Sequence, residues 1–501
     1  MKIVIANSVG IDQRGLFIIH SPSRWTSGVR SSSRWFAYYP WELAYLSSLL
    51  KRELGSTYDI IFIDGCLERW TATAYIEKIA AESPDWLVIE SATRVYDENC
   101  RVASAIKQRC GAKVIFVGQH ATAFPETVLR DGADYVCTGE YEETVCEILK
   151  GAETDTIAGL YPNGRRGIID INRLPWPEDD DVSRLNYGKP GEPSSEYLEI
   201  QAYASRGCPG SCLFCVARHV YYDCPNWRPR DIRDIINELK YLKNKYPELE
   251  GIFFDEESHL QNKDFALRLA DAIRKENLHT LHFEAMCNLS SLDTEVMRAL
   301  AASGYYKVRF GIETASEKVA RNIGKKMEKS VLIKKLEEAQ SIGLKTYGTF
   351  MMGAPGSNRA EDRKTIDFIQ ELIKNRLLTN VQISLCTPQP GTPFYDWIVK
   401  RNLLVSYANS DFDGEGTAVV SYPDYAAGEI KEMLKYAFAV RDHAFFSQHM
   451  VCGGMGSWIK RVCRQHGLPG AVKKGFMRII REARFLTTRI SRWRFRANQK
   501  Q

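Results

Sequence analysis

The chain is organised around the loop Ser205-Arg206-Gly207-Cys208-Pro209-Gly210-Ser211-Cys212-Leu213-Phe214-Cys215, in which three cysteines follow the spacing C-x3-C-x2-C. A loop of this length can bring three thiolates toward one point. Three thiolates suit a cubic iron–sulfur cluster that leaves one iron with an open coordination position. The loop therefore predicts a reactive cluster bound by Cys208, Cys212 and Cys215.

Three simpler interpretations of the loop stay open. A structural zinc site closes with four ligands, and Cys224 or His219 would have to supply the fourth. An electron-transfer cluster usually takes a fourth cysteine from the same tight run, and this run has three. The grouping could also be accidental, since the chain has 13 cysteines.

The loop resembles the cluster motif of the radical S-adenosylmethionine (SAM) superfamily, with Gly-Cys-Pro at its start and Phe214 just before Cys215. The resemblance implies a [4Fe–4S] cluster on the three cysteines, with SAM chelating the free iron through its amino and carboxylate groups. Reductive cleavage of SAM would give a 5′-deoxyadenosyl radical that takes hydrogen from carbon. It also implies that Phe214 packs beside the adenine and that a flavodoxin or ferredoxin is the reductant.

Length and composition suit a globular protein of several domains. With 501 residues, the chain should form two or three domains. Its apolar share of 44% and charged share of 26% are typical of soluble proteins. No signal peptide and no run of 18 apolar residues is visible. We therefore expect a cytoplasmic protein whose other cysteines are reduced.

Residues 1–150 alternate short apolar runs with amphipathic stretches, which predicts a parallel sheet with helices on both faces. The predicted strands are Lys2–Asn7, Asp59–Asp64, Trp86–Glu90, Lys113–Val117 and Tyr135–Thr138. The predicted helices are Trp41–Leu54, Ala72–Ala81, Asn99–Arg109, Pro125–Arg130 and Glu142–Leu149. Ligands of such sheets bind at the carboxyl ends of the strands.

The loops at these strand ends are small and polar, and no G-x-G-x-x-G follows the first strand, which disfavours a dinucleotide. The run Gly-Gln-His-Ala-Thr, followed by Thr-Gly-Glu-Tyr-Glu-Glu-Thr, resembles the cobalamin-binding domain that precedes many radical SAM domains. The resemblance implies a Rossmann-like, flavodoxin-like fold. The candidate cobalamin-binding residues are Ser91, Thr93, Gly118, Gln119, His120, Gly139 and Glu140.

One feature departs from the cobalamin domains of the methionine-synthase type. Those domains carry D-x-H-x-x-G, in which the histidine binds cobalt, whereas Asp64–Arg69 contains no histidine. We expect no axial histidine from that loop, and we expect His120 to lie near the cofactor tail or to be structural. A long insertion, 10–39, either covers the site between domains or is disordered.

Residues 151–195 form a linker rich in Gly, Pro, Asp and Asn, and residues 196–400 contain six strand–helix units. Six such units predict a curved (β/α)6 partial barrel, with the cysteine loop after its first strand. The predicted strands are Tyr197–Tyr203, Gly251–Asp255, Thr280–Ala285, Lys307–Gly311, Thr346–Met351 and Asn380–Leu385. By resemblance, Asp255, Glu257 and Glu313 are candidate SAM ligands, and helix N-capping is their structural alternative.

Residues 401–501 form a helical region that ends in a basic tail. The segment 457–501 carries 13 Lys and Arg residues and one acid, so the rest of the chain is acidic. Within residues 471–497, apolar residues recur every three or four positions beside many Arg and Lys, as in an interfacial helix. Three interpretations of this segment remain: contact with the inner face of a membrane, docking on the barrel, or binding of its basic face to an acidic partner or RNA. No nucleic acid is expected for the chain as a whole.

The two resemblances together imply a B12-dependent radical SAM enzyme. Methylcobalamin would deliver a methyl group to the substrate radical, and a second SAM would remethylate the cobalt. We expect a C-methyltransferase acting on an unactivated carbon of a small-molecule or lipid-linked substrate. The alternatives are a B12 radical SAM cyclase or rearrangement enzyme, and a non-catalytic iron–sulfur protein or sensor. A methylthiotransferase is disfavoured, because the cysteines of residues 1–150 do not form the set needed for a second cluster.

Overall fold

The computed structural model describes residues 1–21, 23–188, 195–414 and 416–448. The basic tail, including residues 471–497, lies outside the described residues. Within the described part, no helix is both long enough and apolar enough to cross a membrane.

The N-terminal half of the fold is a five-stranded sheet with an inserted hairpin. Its strands are β1 (Lys2–Ala6), β2 (Phe17–Ser21), β3 (Trp25–Val29), β4 (Asp59–Ile63), β5 (Trp86–Glu90), β6 (Lys113–Val117) and β7 (Tyr135–Val136). Five of them pair in parallel in the order β4-β1-β5-β6-β7. This is the flavodoxin-like order, in which the chain changes direction between β1 and β5. The predicted flavodoxin-like sheet is confirmed.

Helices cover both faces of this sheet. They are α1 (Trp41–Leu54), α2 (Gly65–Glu68), α3 (Ala72–Ala81), α4 (Tyr96–Cys110), α5 (Gln119–Ala123), α6 (Pro125–Arg130) and α7 (Glu142–Leu149). One apolar core joins α1 and α7 to the sheet, and a second core joins α3 and α4 to its other face. Strands buried on both sides must be apolar throughout, which explains continuous runs such as Val-Ile-Phe-Val in β6.

The second half is an open, parallel half-barrel of six strands. Its strands are β8 (Glu199–Ala202), β11 (Gly251–His259), β12 (His282–Cys287), β13 (Tyr305–Glu313), β14 (Lys345–Met352) and β15 (Asn380–Leu385), and the pair β9 (Ser205–Arg206) and β10 (Arg228–Pro229) follows β8. The order β15-β14-β13-β12-β11-β8 follows the chain from one edge to the other. Consecutive parallel neighbours of this kind require crossover helices, as predicted.

The crossover helices lie mainly on the outside of the half-barrel. They are α8 (Ile232–Lys245), α9 (Lys263–Lys275), α10 (Thr294–Ala302), α11 (Glu317–Asn322), α12 (Lys329–Ile342), α13 (Arg359–Lys374) and α14 (Pro393–Lys400). A further helix, α15, covers residues 427–448. Capping side chains begin several of them; the Asp231 carboxylate, for example, accepts hydrogen bonds from two backbone N–H groups of α8.

Two barrel strands, β11 and β13, are each four residues longer than the sequence predicted. The prediction ended β11 at Asp255 and β13 at Gly311, but the strands continue to His259 and Glu313. Both extensions contain an irregularity in strand register, between Phe254 and His259 and between Gly311 and Glu313. Such irregularities change the direction in which the side chains point. The candidate SAM ligands Asp255, Glu257 and Glu313 therefore lie within the strands themselves and not in loops that follow them.

The insertion between β1 and α1 is ordered and contains the hairpin β2–β3. The two strands pair antiparallel, with Phe17 opposite Val29 and Ser21 opposite Trp25. Residues of the hairpin join the barrel core: Ile19 is part of it, and Arg24 forms an ion pair with Asp255 of β11. The insertion therefore lies between the two sheets. This agrees with the first of the two predictions for it, that it covers the site between the domains, and not with the second, that it is disordered.

Candidate functional site

The cysteine loop leaves the barrel at the carboxyl end of β8. It begins at Arg206, whose strand β9 pairs with β10, and it ends where the chain enters a π-helix, Ala217–Tyr221. The loop lies at the end of the barrel where active sites of such folds form. π-helical turns are rare and are frequent at functional sites.

Gly210 lies close to two thiols of the loop. A Cβ atom placed on Gly210 would lie 3.2 Å from the Cys208 Sγ and 4.0 Å from the Cys212 Sγ. A side chain at this position would therefore crowd both sulfur atoms. Within the described residues, no three His, Cys, Asp or Glu side chains could hold one metal ion. Binding of a cluster of several irons by the three thiols stays a prediction.

Neither candidate for a fourth zinc ligand is directed to the thiols. The Nε2 atom of His219 is 3.1 Å from the carbonyl oxygen of Cys212 and hydrogen-bonds to it. The Cys224 Sγ accepts a long contact of 3.9 Å from Asn226. That the three thiols of the loop form the whole donor set, as a site-differentiated cluster needs, stays a prediction.

The start of the loop depends on Gly207. Its φ angle is +93°, and a Cβ atom there would lie 2.0 Å from the Asn226 Oδ1, so a larger residue does not fit. The Gly207 N–H donates to the Glu257 Oε2 at 3.0 Å, and the Tyr222 hydroxyl donates to the other oxygen at 2.9 Å. Glu257 thus ties the loop to β11 and to the residue after the π-helix.

Burial disfavours the ionised form of two of the thiols, Cys212 and Cys215. Burial raises the pKa of the Cys215 thiol to about 12 and also raises the pKa of the Cys212 thiol. A bound metal deprotonates a coordinating thiol outright. The Asn288 side chain approaches the Cys208 Sγ at 3.7 Å and offers it a weak hydrogen bond.

Glu313, at the end of β13, lies near the second cysteine. Its φ angle is +67°, which is costly for a residue with a side chain. Its Oε1 accepts a hydrogen bond from Lys325 at 3.0 Å, and the same ammonium group interacts electrostatically with Cys212. The strained backbone and the paired charge make Glu313 a candidate ligand for a polar group bound above the loop.

Asp255 is held by a residue of the N-terminal domain. Arg24, in the hairpin turn, donates to the Asp255 Oδ1 at 2.5 Å. Burial raises the pKa of the Asp255 carboxyl to about 6, although Arg24 opposes the shift. The side chain of Phe214 packs at the edge of the barrel core. Roles for Asp255, Glu257, Glu313 and Phe214 in binding SAM stay predictions.

Three of the predicted cobalamin-binding residues form one hydrogen-bonded group. The backbone N–H and the hydroxyl of Thr93 donate to the Gln119 Oε1 at 2.8 and 2.9 Å. The Thr93 hydroxyl also lies 3.0 Å from the His120 Nδ1, and the His120 ring stacks on Tyr96 at 3.9 Å. Burial lowers the pKa of His120 to about 3, so its imidazole is neutral.

Backbone geometry brings the other predicted residues to the same edge. Gly118 and Gly139 have φ angles of +96° and +75°, which suit glycine. The Ser91 carbonyl accepts the His120 N–H at 2.9 Å. The Gln119 amide donates to the carbonyl of Pro390 at 2.8 Å, across to the barrel domain. The predicted loops thus converge where the two domains meet.

The buried ion pairs at this junction were missed by the sequence analysis. Arg206, which is 2% exposed, pairs with Glu140 at 3.2 Å and with Glu142 at 2.6 Å. Arg228 pairs with Glu140 at 2.8 Å. The carboxylate of Glu140, predicted to bind cobalamin, is therefore also a bridge between the domains. The only sequence signal was an arginine beside the cysteine motif.

Two regions of the chain match known protein families. Residues 203–369 match the radical SAM superfamily, and residues 34–149 match the B12 binding domain. An uncharacterized methyltransferase of Pyrococcus horikoshii is 28% identical over 420 residues, which are 80% of this chain and 86% of that protein. A putative methylthiotransferase of Methanocaldococcus jannaschii is 24% identical over 386 residues, which are 71% of this chain and 81% of that protein.

Two solved structures share the fold. The radical SAM methyltransferase TsrM of Kitasatospora setae, solved with a tryptophan substrate and a SAM analogue, has a TM-score of 0.62 at 16% identity, covering 88% of this chain and 89% of TsrM. The cobalamin-dependent SAM radical enzyme OxsB, solved with aqua-cobalamin and SAM, has a TM-score of 0.65 at 14% identity, covering 96% of this chain and 71% of OxsB.

Proposed function

Because the chain joins a B12-binding domain to a radical SAM domain and so belongs to the B12-dependent radical SAM enzymes, we propose that it methylates an unactivated carbon of its substrate. The substrate would be a small molecule or a lipid-linked molecule, and a flavodoxin or ferredoxin would supply the electron. A relative that is named a methyltransferase supports the choice of transferred group.

The proposal depends most on the direct connection between the cysteine loop and the N-terminal sheet. The π-helix begins at Ala217, two residues after Cys215. Val220 and Tyr221 of this helix pack in the core of the N-terminal domain. The Tyr221 hydroxyl donates to Glu90, at the end of β5, at 3.0 Å. A cluster on the loop and a corrinoid at the strand ends would face one interface, where both can act on one substrate.

In the barrel, the thiolates of Cys208, Cys212 and Cys215 would hold the cluster. A bound [4Fe–4S] cluster supplies the electron that cleaves SAM. Glu313 would accept a hydrogen bond from a ribose hydroxyl or from the SAM ammonium group, since Lys325 already fixes its carboxylate beside Cys212. Asp255 and Glu257 would act at the opposite side of the loop, and Phe214 would pack beside the adenine.

In the N-terminal domain, the corrinoid would lie against the ends of β5, β6 and β7. A bound cobalamin supplies a carrier for the methyl group. Gly118 and Gly139 would let the backbone approach it closely, and the hydrogen-bonded group around Thr93, with Ser91 and Glu140, would contact its polar substituents. No histidine of the segment Asp64–Arg69 would bind the cobalt.

A methylthio transfer would need a second cluster, and the cysteines of the N-terminal domain are dispersed. Cys66 lies in a small apolar cluster with Ile18, whereas Cys137 and Cys146 lie in the core beneath α1 and α7. The remaining two, Cys100 and Cys110, pack against the core on the other face of the sheet. We therefore propose a single cluster, with about four irons per chain.

The transferred group can be tested with SAM that carries a deuterated methyl group. Full-length protein, reconstituted anaerobically with iron, sulfide and hydroxocobalamin, is given reductant and a metabolite extract. Methylation predicts both S-adenosylhomocysteine and 5′-deoxyadenosine, and a product that carries the deuterated methyl. Formation of 5′-deoxyadenosine without S-adenosylhomocysteine would instead identify the cyclisation or rearrangement alternative. The variant that lacks all three cysteines of the loop is the control.

The basic tail supports a further part of the proposal from sequence alone. We propose that residues 471–497 hold the protein at an anionic membrane surface, since each Lys or Arg near such a surface contributes roughly 1 kcal/mol. The test is co-sedimentation of the full-length protein with anionic and neutral liposomes at low and high salt. Equal sedimentation with both kinds of liposome would contradict the proposal.

A further inference from the structure

Part of the cysteine loop lies at the protein surface. Pro209 and Ser211 are exposed, and Cys208 and Cys212 beside them are partly exposed. Another protein can therefore approach the thiols of the loop from solvent on this side.

The segment that follows β13 is fixed to this exposed part of the loop by backbone contacts. The Leu213 N–H donates to the Ile323 carbonyl at 3.2 Å, and the Ser211 hydroxyl donates to the Gly324 carbonyl at 3.3 Å. Gly324 has a φ angle of +77°, and a Cβ atom there would lie 2.5 Å from the Ser211 carbonyl oxygen. The close approach of the two backbones therefore depends on glycine.

This segment is basic, although most of the chain is not. Residues 317–329, which we call the basic segment, contain five Lys and Arg residues and two Glu residues, whereas residues 1–456 together carry a net negative charge. Four of its cations, Lys318, Arg321, Lys326 and Lys329, are exposed. Arg321 lies 3.9 Å from Glu317, but their side chains are 72% and 70% exposed, so solvent screens this pair. The exposed cations give this part of the surface a positive potential.

The fifth cation of the basic segment, Lys325, reaches the site itself. Its Nζ atom donates to the Gly311 carbonyl at 2.6 Å and to the Glu313 Oε1 at 3.0 Å, and its charge interacts with Cys212. Positive charge therefore extends from the exposed cations to the second cysteine of the loop.

We propose that the basic segment is the docking surface for an acidic electron-carrier protein, of the flavodoxin or ferredoxin kind, which reduces the cluster through the adjoining loop. The inference rests on the proposed function, because it requires a [4Fe–4S] cluster on the three thiols. With a flavodoxin, the anionic flavin hydroquinone loses one electron and becomes the neutral semiquinone, and the cluster gains that electron. No bond forms or breaks, and no proton moves.

Charge and position both favour this partner. Opposite charges steer two proteins toward each other and fix their orientation, so the exposed cations select a partner with an acidic surface. Electron transfer weakens steeply with distance, so the partner has to dock where the thiols are close to solvent. Electron-transfer complexes have small interfaces, so a segment of this length is large enough to guide one.

The test compares two reductants that differ in charge. Full-length protein is reconstituted anaerobically with iron and sulfide, and its cluster is reduced either by flavodoxin hydroquinone or by reduced methyl viologen, a small cation. Stopped-flow absorbance measures the rate. In the triple variant Lys318→Glu, Arg321→Glu, Lys326→Glu, the rate with flavodoxin at low salt should fall about tenfold or more, as expected when charge steering is lost. The rate with the viologen should not fall, because its positive charge is not repelled by the new acids.

The matched control changes the net charge by the same amount at the opposite end of the barrel. It is the triple variant Arg274→Glu, Lys275→Glu, Lys374→Glu, whose exposed residues lie in the last turns of α9 and α13. These helices lead to the amino ends of β12 and β15, away from the cysteine loop. The control should react with flavodoxin as fast as the wild type, and an equal loss in both triple variants would overturn the proposal.

Three further results are decisive. A variant of the basic segment that reacts with flavodoxin as fast as the wild type overturns the proposal and assigns the attraction to another region, such as the basic tail. A wild-type cluster that the viologen reduces and flavodoxin does not also overturns it. Wild-type protein that assembles no cluster contradicts the proposed function itself, which is a separate result. If the glutamate variant of the basic segment assembles no cluster, the corresponding glutamine variant replaces it, and its rate with flavodoxin should also be lower than that of the wild type.

Discussion

The strand ends of the two sheets differ in how their candidate residues are arranged. In the barrel, three thiols lie within one short loop, with Gly210 close to two of them. In the N-terminal sheet, the candidate residues come from three separate loops, and Thr93, Gln119 and His120 bond to one another. A cluster that is bound by a few cysteines leaves a short, recognisable motif in the sequence. A large organic cofactor is held by many weak contacts from separate loops, which leave no such motif.

The largest effect should come from removing the covalent ligands. Replacing Cys208, Cys212 and Cys215 with alanine should abolish iron binding, because no other thiols replace them, while corrinoid binding by the N-terminal domain persists. Iron and cobalt are measured by mass spectrometry after reconstitution. Cys224→Ala is the matched control and should keep about four irons. Equal iron content in the triple variant and the control would show that the thiols of the loop do not bind the cluster. The proposed difference between the two sheets would then be wrong.

The next largest effect is expected at the junction between the two sheets. A substitution there should lower the free energy of unfolding and leave the metal content unchanged. Arg206→Met leaves Glu140 and Glu142 buried without their shared partner, which should cost about 3–5 kcal/mol in free energy of unfolding. Urea denaturation measures the loss. Arg109→Met removes a pair with Glu77 whose side chains are 48% and 61% exposed, and it should cost at most about 1 kcal/mol. Similar losses in both variants would mean that the buried pairs do not join the domains.

The buried acids at the junction should make stability depend on pH. Burial raises the pKa of Glu42 from 4.5 to about 7, so its contribution to stability is present below the unfolded value and is lost as pH rises through 7. Glu42→Gln should therefore gain stability relative to wild type over this interval, by up to about 3 kcal/mol, since one pKa unit corresponds to about 1.4 kcal/mol. Denaturation curves of Glu42→Gln and of the wild type at several pH values check this difference in slope.

A smaller effect is expected where a single neutral hydrogen bond joins the sheets. Gln119→Ala removes the bond to the Pro390 carbonyl and the acceptor for Thr93, which together should cost about 1–3 kcal/mol. The affinity for hydroxocobalamin, measured by absorbance titration, should fall with it, while iron content stays unchanged. Lower iron content with unchanged corrinoid affinity would show that this hydrogen bond supports the cluster site of the barrel and not the corrinoid site.

Sequence predicted the elements that local patterns determine. The bounds of α1, β5 and β15 agree with the predicted Trp41–Leu54, Trp86–Glu90 and Asn380–Leu385, because apolar runs and helical periodicity are local. The extensions of β11 and β13 were not predicted, since register irregularities arise from neighbouring strands.

The contacts between the domains could not be predicted from the sequence either. Arg206 and Glu140 are 66 residues apart, and Arg24 and Asp255 are 231 residues apart. No local pattern relates such residues, because only the packing of the two sheets brings them together. The hairpin β2–β3 was likewise predicted only as a long insertion, so its contacts with both domains could not be anticipated.

The central claim is that one chain uses its cysteine loop to cleave SAM next to a bound corrinoid. The most direct measurement is the yield of 5′-deoxyadenosine from full-length protein reconstituted anaerobically with iron, sulfide and hydroxocobalamin, and then given SAM and a reductant. The account predicts 5′-deoxyadenosine from the wild-type chain and none from the triple cysteine variant. Intact SAM beside a fully assembled cluster would contradict it and would identify a non-catalytic iron–sulfur protein.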